Sequence, residues 1–167
     1  DYEQSDEHWW TIAKRDGLYI GDVAEDESAK MYAMELCIRI EDEDENFLGV
    51  LKAVMNVREI FAIVDSNASR DDTGLILALL TSDGRLIRIG NRDTRPLADG
   101  RRYLVHREKM ASPEALMQVE DEAGREVMYT YAEPDEKSMV ARLGWIAVQV
   151  AEAEQALAPV RRLRYTV

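Results

Sequence analysis

Residues Glu7, His8, Trp9 and Trp10 put a carboxylate, an imidazole and two indoles in four consecutive positions near the start of the chain. Neighbours on a helix point roughly 100° apart, so two adjacent tryptophans cannot both face one core. One of them is expected to face something else. An indole face attracts a cation where water is excluded, and a nearby carboxylate would strengthen that preference. The alternative is that both rings simply pack on a sheet. The other reactive side chains form no catalytic set. His8 and His106 are the only histidines, and no H-E-x-x-H pair, Gly-rich phosphate loop or G-x-S-x-G elbow occurs. His106 stands in a basic stretch with Arg101, Arg102 and Arg107, and both histidines read as satisfied or solvated. Cys37 is the sole cysteine, so no intrachain disulfide can form. It lies in an apolar run and reads as a small buried hydrophobe, which leaves the redox compartment open. The expectation is a chain that is not an enzyme and needs no cofactor.

The 167 residues carry a net charge of −12, unevenly placed. Residues 1–46 hold 15 acidic and 4 basic side chains, whereas residues 47–167 hold 18 and 17. Such an acidic first part would repel phosphates, which argues against nucleic acid. A solvated acidic surface is the simpler reading, with a cationic ligand or metal as rivals. A metal site built from Asp22, Asp26 and the 41–45 cluster is disfavoured, since carboxylates strung along a turn diverge instead of converging. No apolar run approaches the roughly 18–20 residues of a membrane span, and no signal-peptide pattern opens the chain. A hydrophobic content of 46% is enough for a core.

The elements that must position these residues follow from periodicity. A helix is expected over 6–15, capped by Ser5 or Asp6 and stopped by Gly17. "LYIGDV" reads as a strand and "AEDES" as a turn. The run 31–40 alternates, with Tyr32, Met34, Leu36, Ile38 and Ile40 on one face and Met31, Ala33, Glu35, Cys37 and Arg39 on the other. A charged turn at 41–46 joins it to a strand at 47–57, giving an antiparallel hairpin in which Gly49 marks a bulge or close packing. Glu35 and Lys52 fall inside neighbouring strands, either facing a pocket or forming a cross-strand ion pair. Helical spacing follows over 57–68, then a polar break at 69–74 taken as the domain boundary. Beyond it come two strands around an Asp83-Gly84 turn, a mostly loop region at 91–111, a helix start with Ser112 as cap and Pro113 at the first position, strands at 125–133 and 143–152, and a final helix over 152–163 interrupted near Pro159. Tyr129, Tyr131 and Trp145 read as core. The pattern is α+β with antiparallel sheets and no alternating order that would build a parallel one.

The order of "DEHWW", "GLYIGDVAED", "MELCIRIEDEDENFLGVLKAVMNV", "TGLILALLTSDGRLI" and "LGWIAVQVAEAEQALAPV" resembles the double Cache domain, the PAS-like extracytoplasmic sensor region of bacterial receptors. The likeness covers nearly the whole chain, and its specificity lies in the order of loose motifs. It implies PAS-like antiparallel sheets flanked by helices, one partial and one small complete module. Residues 1–68 would be the C-terminal part of the membrane-distal module with a linker helix, and 69–167 the membrane-proximal module with its exit helix. A complete distal module has a long helix and further elements before Tyr2, so the chain is expected to begin inside that module. The implied role is extracytoplasmic sensing of a small molecule in the distal module for a histidine kinase, chemoreceptor or cyclase. It would act as a homodimer tethered to the inner membrane by segments outside this chain. The alternative is a ligand-free spacer and dimerisation module.

The amino-acid-binding subgroup of that family implies a set of ligand contacts. Tyr2, Trp9, Trp10 and Asp26 match its pattern, and Tyr19 belongs to the matching "Y-I-S-D" strand. Glu7 stands where the subgroup has an arginine that grips the ligand carboxylate, Ala24 where it has a tyrosine, and Val54 where it has an aspartate that holds the ligand amine. A glutamate in place of that arginine would repel a carboxylate. The candidate site is therefore Tyr2, Glu7, Trp9, Trp10, Tyr19 and Asp26, with an amine or quaternary ammonium as the expected ligand.

Overall fold

The computed structural model describes residues 4–27, 30–68, 75–110, 115–121 and 123–164. It forms two compact units, Asp1–Glu59 and Ile60–Val167, each built on one antiparallel sheet. The architecture is α+β, as expected from the strand and helix periods.

In the first unit α1 spans His8–Asp16. It starts at Glu7, in extended backbone with no side-chain cap, and not at Ser5 or Asp6. Gly17 ends it at φ 83, where its N–H donates to the Ala13 carbonyl at 2.9 Å. Glycine adopts that left-handed conformation without a Cβ penalty. Strands β1 (Leu18–Ile20), β2 (Ala24–Asp26), β3 (Met31–Glu41) and β4 (Phe47–Asn56) follow. β1 and β2 pair with β3, and so does β4. The turn expected at "AEDES" is corrected: Ala24, Glu25 and Asp26 lie opposite Ala33, Tyr32 and Met31. With eleven residues, β3 is long enough to hold two short strands in succession. The ladder slips between Ile40 and Glu41, opposite Gly49 and Phe47, which is the bulge expected near Gly49. In the charged turn the Asp42 carboxylate accepts from the backbone N–H groups of Asp44 (3.0 Å) and Asn46 (2.8 Å), so it closes the loop. The Asn46 side-chain amide also donates to it, at 3.2 and 3.0 Å, and this contact, followed by the backbone bonds, holds its pKa below the usual carboxylate range.

Register decides which face carries α1. Tyr19, Cys37 and Lys52 form one row across β1, β3 and β4, flanked by the rows Glu35/Val54 and Arg39/Val50. Trp9 and Ala13 of α1 pack on this face against Cys37, which is fully buried, with Trp10, Tyr19 and Val50 around them. The opposite face carries Leu36, Ile38, Leu51, Ala53 and Met55, of which Ile38 is 44% and Leu51 58% exposed.

In the second unit α2 (Arg58–Asn67) runs across the division between units. The division expected after Ala68 thus falls earlier, and the break at 69–74 lies outside the described residues. The physical reason is local. Asp65 of α2 receives two hydrogen bonds from Arg88, at 3.0 and 2.7 Å, and one from the Asn91 N–H at 3.0 Å. The sheet is built from β5 (Ile76–Leu80), β6 (Leu86–Ile89), β7 (Met117–Glu120), β8 (Glu126–Ala132) and β9 (Ile146–Glu152), in the order β6-β5-β9-β8-β7. Gly84, at φ 84, makes the expected Asp-Gly turn. Ala78, Leu80, Leu86, Tyr131, Ile146 and Val148 are the centre of the core, and Tyr103, Leu104 and Met110 of the β6–β7 connection cover it. The helix expected from Ser112 is corrected where it can be seen: Met117 and Gln118 belong to β7 and pair with Tyr129 and Met128. Ser112 and Pro113 lie outside the described residues. α3 spans Ala153–Arg164 and continues through Pro159 instead of breaking there.

The Asp65–Arg88 pair gives a pH prediction. Arg88 holds Asp65 below its ordinary value, chiefly through the side-chain hydrogen bonds. A depressed folded pKa stabilises the native state above the unfolded value of about 3.9, and the gain is lost as pH falls through the folded pKa. Asp65→Asn is expected to cost on the order of 1 kcal/mol at pH 7, given the partial exposure of both partners. The difference from the parent should close as pH falls through the depressed folded pKa of Asp65. Urea titrations from pH 2 to 7 measure it, and a pH-independent difference would contradict the assignment.

Candidate functional site

The residues packed against α1 make a chemically mixed face of the first unit. Each tryptophan of the adjacent pair has its own seat. Trp9 is 7% exposed and lies on Cys37, and Trp10 meets it edge-on with centroids 5.8 Å apart. Trp10 also meets Phe47 edge-on at 6.0 Å, and the Lys14 ammonium (4.9 Å) and Arg39 guanidinium (5.5 Å) stand over the Phe47 ring. Trp10 is thus committed to packing against the start of β4.

Trp9 faces a charged pair. The Lys52 ammonium stands 4.5 Å from the Trp9 ring centroid and 2.7 Å from Oε1 of Glu35. Lys52 lies opposite Cys37 and Glu35 opposite Val54, so the two are diagonal neighbours on one face. They keep 23% and 36% of their side-chain exposure, which leaves them reachable from solvent. Tyr19 completes the row, and His8 meets its ring edge-on at 5.9 Å. Gly21 donates its N–H to the Glu35 carbonyl at 2.8 Å. A Cβ at Gly21 would lie 3.2–3.3 Å from Tyr19 and from Glu35 Cβ, so a glycine leaves room for both side chains.

The electrostatics of the row follow from this arrangement. Burial pushes the Tyr19 phenol and the Cys37 thiol up, the Glu35 carboxylate adds to both, and the Lys52 ammonium opposes it. Cys37 is therefore a protonated packing residue, as its apolar surroundings suggested. The row offers an aromatic bed, a phenol, a carboxylate and an ammonium, which suits recognition of a small polar molecule.

The expected site residues divide accordingly. Trp9, Trp10 and Tyr19 come together where α1 packs on the sheet. Glu7 is exposed at the start of α1. Asp26 lies opposite Met31, six residues along β3 from the Tyr19–Cys37 pair, or about 20 Å at the rise of a strand. Tyr2 lies outside the described residues. Lys52 and Glu35 are the polar pair that the candidate set omitted. Their signal was present as two charges inside apolar strands, but only the register shows that they share the face under Trp9. Among the described residues, no group of three or more His, Cys, Asp or Glu is placed to hold a metal ion.

The second unit offers less. Tyr131 is 3% exposed, its hydroxyl donates to the Tyr103 carbonyl at 2.9 Å, and burial pushes its pKa up to about 12. Trp145 is 8% exposed, so both act as core. An open cleft of about 470 Å³ is lined by Gly124, Arg125, Glu126, Glu152 and Glu154. Its arginine is already paired with Asp121 at 2.7 Å and Glu152 at 2.9 Å.

Comparison with solved structures gives the architecture its context. The ligand-binding domain of Mlp24 with asparagine superposes with a TM-score of 0.64 at 20% identity, over 96% of this chain and 62% of that domain. The extracellular domain of the histidine kinase rpHK1S-Z16 gives 0.61 at 17%, over 94% and 64%. The sensory domain of the Campylobacter jejuni chemoreceptor Tlp3 gives 0.71 at 13%, over 93% and 57%. This chain has the fold of receptor sensory domains. It is the fold that the double Cache resemblance implies. The chain spans about three fifths of the length of these sensory domains. No family model and no curated protein matches it. Identities at or below 20% establish the sensory-domain fold and leave the chemistry to this chain's own residues.

Proposed function

We propose that the chain is the extracytoplasmic ligand-sensing region of a bacterial signal-transduction receptor, with a non-catalytic role. In this reading the unit Asp1–Glu59 belongs to a membrane-distal sensor module and binds a small molecule beneath α1. The second unit, ending in α3, is the membrane-proximal module and passes the signal toward the membrane. A homodimer tethered to the inner membrane completes the proposal. The observation that carries it is the Lys52–Glu35 pair on the Trp9 ring, beside Tyr19 and under α1. A purely structural sheet face gains little from two half-buried charges there, whereas a recognition site needs them.

The amine expected from Glu7, Asp26, Tyr2 and Trp9 has weaker support than a ligand met by Trp9, Tyr19, Glu35 and Lys52. A second reading, a spacer and dimer contact without ligand, draws on the exposed outer residues Ile38, Leu51 and Met55. A thermal-shift screen against amines, amino acids and small carboxylates separates the two, since a ligand of the native state raises Tm by mass action. A hit whose affinity changes at least tenfold in Glu35→Gln, falling for an amine and rising for a carboxylate, supports the sensing site. No hit across the three classes supports the spacer.

A further inference from the structure

Building on the sensing site proposed above, we infer that Lys52 determines its ligand class: the lysine excludes cationic ligands from the Trp9 face and requires a ligand that presents an anionic group such as a carboxylate.

An aromatic face and an adjacent carboxylate are the two components of an ammonium seat. Trp9 and Glu35 supply both, and the Lys52 ammonium already fills that seat, 4.5 Å from the ring centroid and 2.7 Å from Glu35 Oε1. The seat is therefore served by a tethered cation at very high effective concentration. An incoming amine must displace it and leave the displaced ammonium close by. A like charge within a few ångströms in a half-buried site opposes that exchange.

An anion meets the opposite situation. A lysine ammonium carries three donors, and one ion-pair contact with Glu35 does not exhaust them. Lys52 retains 23% of its side-chain exposure, so a carboxylate can reach it without disturbing Trp9. Glu35, held by Lys52, is kept from repelling the newcomer at full strength. The Tyr19 phenol in the same row is held protonated by burial and by Glu35, so it can donate to a second oxygen. Glu7 stands exposed at the start of α1, and Val54 is the apolar neighbour opposite Glu35. The anion-binding group of this site thus comes from β4 and not from the helix.

The test is a gain of function that needs no knowledge of the natural ligand. Calorimetric titrations of the full chain use tetramethylammonium and acetate as probes, with the parent, Lys52→Met, Lys52→Gln and Lys52→Met/Glu35→Gln. Two replacements of different polarity guard against loss of folding in one of them. The expected result is at least a tenfold gain in tetramethylammonium affinity in both single variants, reversed when Glu35 is also neutralised, with a loss of at least tenfold for acetate. Equal tetramethylammonium affinity in the parent and both single variants would overturn the role of Lys52 and leave the sensing site standing. Parent binding of either probe that is indifferent to Lys52, Glu35 and Trp9→Phe alike would instead overturn the location of the site.

Discussion

Trp9→Ala is expected to be the most damaging single substitution in the first unit, lowering stability by about 3–5 kcal/mol and abolishing ligand binding. The ring is 7% exposed and covers Cys37, which is fully buried, together with Ala13. Truncation opens a cavity between α1 and the sheet that these small neighbours cannot fill. It also removes the edge-on contact with Trp10 and the ring beneath the Lys52 ammonium, each worth about 0.5–1.5 kcal/mol in favourable settings. Urea unfolding at neutral pH checks the stability loss. Trp9→Phe separates packing from recognition, because it restores most of the volume while weakening the cation–aromatic contact. A phenylalanine variant as unstable as the alanine one would show that the indole shape carries the effect. A stability loss below 1 kcal/mol in Trp9→Ala would mean that α1 is not anchored on this face.

The second large effect is expected at Gly90→Ala in the other unit. A Cβ at Gly90 would sit 2.3 Å from the Ala68 Cβ and 3.1 Å from the Val64 carbonyl oxygen. Neither neighbour is the end of a flexible side chain. One is a methyl group on the backbone and the other is the acceptor for the Ala68 N–H, at 3.0 Å. The end of α2 must therefore move away from β6, against the Asp65–Arg88 pair that holds it there. Overpacking of this kind costs about 1–3 kcal/mol, and the backbone nature of the clash puts Gly90→Ala at the upper end. Ala68→Gly removes the obstructing methyl, at a cost of roughly 1 kcal/mol for the added backbone freedom. The double variant should recover at least about 1 kcal/mol relative to the sum of the single ones. Strict additivity across the cycle would refute the contact.

The structure also shows how far local pattern carries. Alternation over 31–40 and 47–57, the polar turn between them and Gly49 were enough to place the hairpin and its bulge, because period-two patterning and turn chemistry are local properties. The Asp83-Gly84 turn and the helix over 58–67 were legible for the same reason. "AEDES" and the residues Met117 and Gln118 were misread because their strands are short and polar and owe their conformation to pairing partners, β3 and β8, that the local sequence does not display. Pro159 was read as an interruption from local propensity alone, yet α3 continues through it.

For the site, residue types left two readings of the Trp9–Trp10 pair, one ring turned to a ligand or both packed on the sheet, and in the structure both rings pack against the cluster around Cys37. The sequence by itself determined the types of the long, periodic elements, the acidic bias of the first 46 residues and the presence of an aromatic recognition candidate. Tertiary structure alone decided which indole is which. It put Trp10 on Phe47 and Trp9 against Lys52. It separated Asp26 from Tyr19 by six residues of β3, and it chose the mixed face, with Glu35, Cys37 and Lys52, to lie under α1. The reason is register. A strand's side chains alternate with period two, so pairing fixes which residues share a face, and that pairing is a long-range property that no short stretch of sequence encodes.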